Sequence, residues 1–376
     1  MSQPSATVWE VIEALARRGL LRAARGSLVA GDAGAPARGV LVADGVTPST
    51  VERARERDAG LILCRRPPWR GRLRHMRAGS AAAELLSALL GSGAAVVVAG
   101  AALEESVPGP ADVLAAALGL DGVQPLEPWK RERLFKIVVF VPHGYEDGVR
   151  AALAAAGAGH IGNYDSCAFE TPGTGTFRPL AGAQPFIGAE GRLERVAEVR
   201  LETIVPASRR AAALAAMLAA HPYEEPAYDL IPLANEGPVR RARGRVGELR
   251  KALALSELAE AAAAALGGEW HGLGRPDARV RRVAVLAGGG RRGLAAAAAA
   301  GAEAVVACGL GDDEAVESPL PVVRASARTA RRLIVEDGAA RIRTALAEEG
   351  LTVPVWADPG EGAEEWRVVA PEGGRP

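Results

Sequence analysis

The sequence predicts an α/β protein: a core made of two α/β halves, with a separate α+β module inserted between them. Three observations carry this. Helical and β-branched segments alternate from residue 6 to 128, which predicts a parallel or mixed sheet covered by helices. The same alternation resumes after residue 237. Between the two lies a stretch of about 105 residues that reads β-α-β twice over. At 376 residues the chain is long for one ordinary core, in keeping with more than one domain. The expected boundaries are 1–130 for the first half, 131–236 for the insert and 237–376 for the second half.

In the first half, "VWEVIEALARRGLL" places apolar residues at helical spacing and "GVLVADG" is a short buried strand ending in a turn. "TPSTVERARERDAG" opens with Thr47 before Pro48, a good N-cap pattern, and is read as a helix closing on Gly60. Strand "LILC", helix "SAAAELLSALLGSG", strand "AAVVVAGA" and helix "PADVLAAALGL" follow. "DGVQPLEPWKRERL" is polar and irregular and reads as a linker. The insert then runs strand "FKIVVFVP", helix "YEDGVRAALAAAG", a Gly- and Thr-rich stretch, strand "RLERVAEVRLETIVP", helix "ASRRAAALAAMLAAH" and strand "PAYDLIPL", the ferredoxin-like pattern. "ANEGPVRRARGRVG" reads as a second polar link. Helix "LSELAEAAAAALGG", strand "VRRVAVLAGGG", "GLAAAAAAGAEAVVACG" and helix "ARTARRLIVEDGAARIRTALAEEG" make up the second half.

Composition narrows function by exclusion. Apolar residues are 49% and charged residues 24% of the chain, values of a soluble globular protein. The 45 basic and 45 acidic residues cancel, so no net field draws the chain to nucleic acid or an anionic membrane. No apolar run approaches the roughly 20 residues that span a bilayer. The amphipathic, partly acidic beginning is unlike a signal peptide. Cys64, Cys167 and Cys308 are odd in number and widely spaced, against a disulfide framework. A cytoplasmic protein without nucleic-acid or membrane partners is expected.

Three segments bear chemistry-capable residues. "AGAGHIGNYDSCAFETPGTGTFRP" gathers His160, Asp165, Cys167 and Glu170 beside a Gly/Thr-rich loop. A Cys167–His160 nucleophile pair and a buried strand cysteine are the alternatives there. "LAGGGRRG", Leu286 to Gly293, joins a strand to a helix and could hold a phosphate, but it lacks the dinucleotide fingerprint, so a tight turn is the better reading. In "AHPYEEPAYDL", Pro222 and Pro226 break any helix between His221 and the two glutamates, favouring a turn over a ligand set.

Two of these segments together carry a family resemblance. "GAGHIGNYDSCAFETPGTGTFRPLAGAQPFIG" and "VRLETIVPASRRAAALAAMLAAHPYEEPAYDLIPL" resemble the module inserted in the GTP cyclohydrolase I type II homologues, the dinuclear-metal-centre hexameric family. That module is in turn similar to the trimeric PII and CutA proteins. "GVLVADGVTPSTVERARERDAGLIL" and "VRRVAVLAGGGRRGLAAAAAAGAEAVV" resemble the family's core. The resemblance implies a toroidal, trimer-based homohexamer with two divalent ions per subunit held by His, Asp and Glu, and a metal-dependent hydrolase activity.

The ligand positions of that family are altered here. Its His-His-Pro motif reads "LILCRRPP", with Arg65 and Arg66 at the imidazole positions. Its His-Thr-Asn-Leu-Asp motif reads "GAALE", with Gly100 for the His and Glu104 for the Asp. The C-terminal His and Glu fall on Ala327 and Arg331, and the early Trp-Asp-Asn segment is replaced by "LRAARGSL". Guanidinium has no lone pair to give a metal and stays protonated. The expectation is therefore a core site without metal or other cofactor, whose arginines serve as salt-bridge partners or as a small anion site. The resemblance leaves an oligomeric scaffold or regulator as the leading function and a GTP cyclohydrolase-like hydrolase as the alternative. A ligand loop of the insert would draw on His160, Asn163, Glu170, Thr174 and Thr176.

Overall fold

The computed structural model describes residues 6–21, 24, 26–69, 77–288 and 290–360. Chain contacts divide it into two units, one made of 1–129 and 240–376 and the other of 130–239. The α/β class holds for the chain as a whole.

The first unit opens with α1 (Val8–Arg17), β1 (Leu28–Ala30), β2 (Val40–Ala43), α2 (Pro48–Glu56), β3 (Leu61–Cys64), α3 (Ala81–Ser92), β4 (Ala95–Val98) and α4 (Pro110–Ala117). Helix α1 starts where a capping box can form: Glu10 N donates to Thr7 Oγ1 (3.2 Å) and Thr7 N to Glu10 Oε2 (2.7 Å). Helix α2 begins at the expected Thr47 cap with Pro48 in its first turn. It stops at Arg57, before Gly60. Gly60 has a different task, because a Cβ there would lie 2.4 Å from the Pro36 carbonyl oxygen.

The long strand β5 (Asp121–Pro142) leads into the second unit, which holds α5 (Glu146–Ala155), β6 (Ala168–Phe177), β7 (Glu194–Pro206) and α6 (Arg210–Ala220). Strand β8 (Tyr228–Ala254) leads back. The rest is α7 (Leu255–Leu266), β9 (Trp270–Leu273), β10 (Arg279–Leu286), α8 (Gly290–Ala299), β11 (Ala304–Ala307), α9 (Asp312–Val316), β12 (Val322–Ala325), α10 (Ala327–Glu348) and β13 (Val355–Asp358).

Both segments read as polar linkers are strand. "DGVQPLEPWKRERL" lies within β5 and "ANEGPVRRARGRVG" within β8. In β8 the polarity misleads because buried guanidiniums are answered by fixed partners. Arg245 is 1% exposed yet donates to Asp112 Oδ1 and Oδ2 (2.8 and 2.6 Å) and to the Ser106 carbonyl (2.9 Å). Arg241, equally buried, donates to the Gly19 carbonyl (2.6 Å).

In the first unit one sheet runs β1-β4-β3-β2-β13, with β4, β3, β2 and β13 parallel. A second set runs β8-β10-β11-β12-β9, parallel at β10-β11-β12 and antiparallel at its margins. The C-terminal helix and strand complete the first sheet: β13 pairs with β2, and Ile334, Val335, Ala339 and Ile342 of α10 share a core with Ile12, Leu15 and Val42. Gly338 permits this approach, for a Cβ there would already touch Leu103 and Val42. The second unit has the chain order β-α-β-β-α-β and the sheet order β6-β7-β5-β8. Its core is its own, built on Phe135, Ile137, Val139, Leu153, Leu201 and Met217.

Candidate functional site

Register brings the first site together. Ala43 pairs with Cys64 and Cys64 with Val98, so β2, β3 and β4 end side by side. The residues that follow each strand therefore meet at the carboxyl edge of a parallel sheet, where α/β proteins place ligands. Asp44 follows β2, Arg65 and Arg66 follow β3, and Glu104 lies just past the turn that follows β4.

There Arg65 sits between two carboxylates. Its Nε donates to Asp44 Oδ1 (2.6 Å) and its Nη1 to Glu104 Oε1. Arg66 reaches the other Asp44 oxygen, Nε to Oδ2 at 2.9 Å. The Arg65, Asp44 and Glu104 side chains are 17%, 8% and 12% exposed, whereas Arg66 is 56% exposed. Burial works against the Arg65 charge, but Glu104 and Asp44 outweigh it and hold its pKa above the ordinary arginine value. Burial pushes the Glu104 carboxyl upward, and Arg65 offsets only part of that.

The loop carrying Glu104 is clamped from behind. Arg341 of α10 donates to the Leu103 carbonyl (2.8 Å) and to Ser106 Oγ (2.9 Å). Gly288 packs so close to Glu104 that a Cβ would lie 2.6 Å from Oε2, and Gly290 stands in the same relation to Glu314. The Gly-rich loop thus abuts carboxylates on both counts, which suits a tight turn and not a phosphate cradle. Gly289 lies outside the described residues, as do Arg22, Ala23 and Arg25 of "LRAARGSL".

Two divalent ions would need several lone-pair donors here. Glu104 is committed to Arg65, Gly100 and Ala327 have no donor side chain, and Arg331 carries a guanidinium whose buried Nε meets no hydrogen-bond partner among the described residues. Ala327 is exposed at the start of α10, and no hydrogen bond or ion pair among the described residues ties it or Arg331 to the Arg65 cluster. Nowhere among the described residues do three or more His, Cys, Asp or Glu side chains converge as a ligand set. The residues present do not fit the implied metal pair.

The second unit holds the other candidate. His160 and Asn163 are exposed, and Glu170 faces Arg150 (3.3 Å). Cys167 is half-buried just ahead of β6, its Sγ 3.6 Å from the Asp165 carbonyl, and no hydrogen bond among the described residues joins it to His160. Cys64 and Cys308 are buried and free, their thiols pushed up to about 12 chiefly by burial. The glycines of this stretch shape a turn: Gly159, at φ +78°, donates to the Ile204 carbonyl (2.7 Å) and accepts from Cys167 N (2.9 Å).

Thr174 and Thr176, in contrast, line a cavity of about 570 Å³. Phe177, Phe186 and Tyr223 meet there, with centroids 5.9 Å apart for Phe177–Tyr223 and 6.3 Å for Phe186–Tyr223. Tyr223 Oη donates to Glu198 Oε1 (3.1 Å); burial and this bond raise the phenol to about 12. Gly173 is the register partner of Glu198, and the Glu198 carboxylate reaches along β6 to Gly175, where a Cβ would collide with it. His221 fixes the corner beneath. Its Nδ1 accepts from Tyr223 N (3.1 Å), so Nε2 carries the proton and donates to the Phe140 carbonyl (3.0 Å). The segment "HPYEE" is a turn, as read, and it is also a cavity wall.

Sequence reasoning missed Tyr223, Glu198, Phe177 and Phe186. A signal was available: all five phenylalanines and all four tyrosines of the chain fall between residues 135 and 228.

The model of the Duf34/NIF3 (NGG1p interacting factor 3) family matches residues 8–348. The chain belongs to this family. A GTP cyclohydrolase 1 type 2 homolog of Halalkalibacterium halodurans is 41% identical over 72% of this chain and 73% of its own length. One from Bacillus subtilis is 41% identical over 68% of this chain and 69% of its own. A crystal structure of a Bacillus cereus protein related to NIF3 superposes with a TM-score of 0.78 at 32% identity, covering 94% of this chain and 96% of that one. The Duf34/NIF3 fold therefore frames both sites. The Arg65 cluster lies at the end of β3 and β4, and the aromatic cavity lies in the unit formed by 130–239.

Proposed function

We propose that this Duf34/NIF3 chain is a non-catalytic member of its family, in which a salt-bridge cluster has replaced the dinuclear metal site. On this reading it is a cytoplasmic, trimer-based homohexamer that acts as a scaffold or regulator and senses a small molecule through its inserted PII-like module. The observation that carries the proposal is the Arg65 guanidinium held between Asp44 and Glu104. It supplies positive charge where a cation would need to sit, and it occupies the one carboxylate left in the family's ligand set. Two guanidiniums meet two carboxylates in the cluster, which favours salt bridging over an anion site.

The alternative is the metal-dependent hydrolase that the relatives' name suggests. Metal analysis of the full-length protein, purified without chelator, separates the two. The expected content is far below one ion per chain. Near-stoichiometric iron, zinc or manganese, lost on Glu104→Ala, would overturn the proposal.

A further inference from the structure

We propose that the cavity beside β6 and β7 is a binding site for a small organic cation, an ammonium or amidinium group carried on an apolar body. The inference names the ligand class of the sensing module and in that sense rests on the proposed function, although its geometry is independent of the metal question.

Three observations converge. First, the cavity has the volume of a small-molecule site, about 570 Å³, and it lies wholly within one unit. Second, its rings are not stacked into a sealed core. Phe186 is 50% exposed, and Phe177 and Phe186 stand at 62° and 51° to Tyr223, so their faces remain available to a guest. Ring faces carry negative quadrupole charge and attract cations at close range. Third, the charge balance points the same way. Glu198, Glu224 and Glu225 line the cavity against Arg178 and Arg200, and Arg200 already pairs with Glu202 at 2.9 Å.

Glu198 is the residue placed to select. Its Oε1 is taken by Tyr223, while its Oε2 faces the bare Cα of Gly175. A carboxylate with one oxygen anchored and the other beside a side-chain-free strand can accept a donor from a ligand without itself moving. Phe177, two residues along β6 from Gly175 and so on the same face, brings its ring to that carboxylate beside Tyr223.

The test is calorimetric titration of the full-length protein with benzamidinium, and with its neutral and anionic counterparts benzamide and benzoate. Benzamidinium is expected to bind saturably, with a dissociation constant on the order of 1 mM for so small a probe. Benzamide and benzoate should bind about tenfold more weakly or not at all, the scale of one charge-assisted hydrogen bond. Glu198→Gln should abolish the discrimination between benzamidinium and benzamide, and Phe186→Ala, at a half-exposed position, should weaken the cation at least severalfold. Equal affinity for the three probes, a preference for benzoate, indifference to Glu198→Gln, or no saturable binding of benzamidinium would each overturn the inference. A chain that carries a stoichiometric metal and still selects benzamidinium would refute the proposed function and leave this site standing.

Discussion

With Asp44 and Glu104 both bonded to Arg65, loss of that one cation leaves two buried carboxylates side by side. Breaking a buried pair by removing one partner costs about 3–5 kcal/mol. Arg65→Ala should destabilise the protein by that much in urea unfolding. Arg66→Ala should cost about 1 kcal/mol or less, because its side chain is 56% exposed and its pair is screened by water. Equal effects of the two substitutions would contradict the cluster's geometry. His221 gives a second residue-level prediction, in pH. Burial lowers its pKa below 6.5, against the opposing pull of the Phe140 carbonyl and Glu198. The unfolded chain therefore takes up the proton first as pH falls. The stabilisation from neutral His221 is complete above about 6.5 and is lost as pH drops through the lower folded value. Unfolding of the full-length chain, followed from neutral to mildly acidic pH, should show this slope, and His221→Gln should flatten it.

At the scale of elements, β6 stands out as a margin. It is an outer strand of its sheet, ten residues long, and mostly exposed, with Phe169 at 68% exposure. Such an edge invites pairing with another chain, which is the physical ground for the proposed assembly. Light scattering should report an oligomer built on threes, and Phe169→Glu should shift it toward smaller species. A monomer at micromolar concentration would remove the claim. Elements also mark where sequence reading succeeds. Helices α1, α2 and α10 were legible because cap residues and apolar period coincide within each segment. The polar parts of β5 and β8 were not, and in β8 the reason is that arginines that read as solvated are buried on partners more than a hundred residues away, as Arg245 is on Asp112. The cavity was half legible. Thr174 and Thr176 stood in a suspect loop, while Glu198 and Tyr223 join them only through the pairing of β6 with β7 and the return of the chain after α6.

For the whole molecule, the separation of cores predicts modular stability. The Phe135–Met217 core belongs to the inserted unit alone, and the other four clusters draw only on residues outside it. Replacing Lys136–Leu233 with a short Gly/Ser turn should leave a chain that still unfolds cooperatively by circular dichroism. A chain without a cooperative transition would mean that the insert is required for folding. Sequence by itself determined the α/β class, most helices, the family resemblance and the place of Arg65 and Arg66 directly after the strand "LILC", because period, capping and residue chemistry are properties of local segments. Only the tertiary structure decided what those arginines do, since Asp44 and Glu104 reach Arg65 through strand register. It alone also returned α10 and β13 to the first sheet, where Val355–Asp358 pairs with Val40–Ala43 across more than three hundred residues. No local pattern encodes such a partner; the fold does, by offering the exposed edge of β2 and an apolar face that α10 can cover.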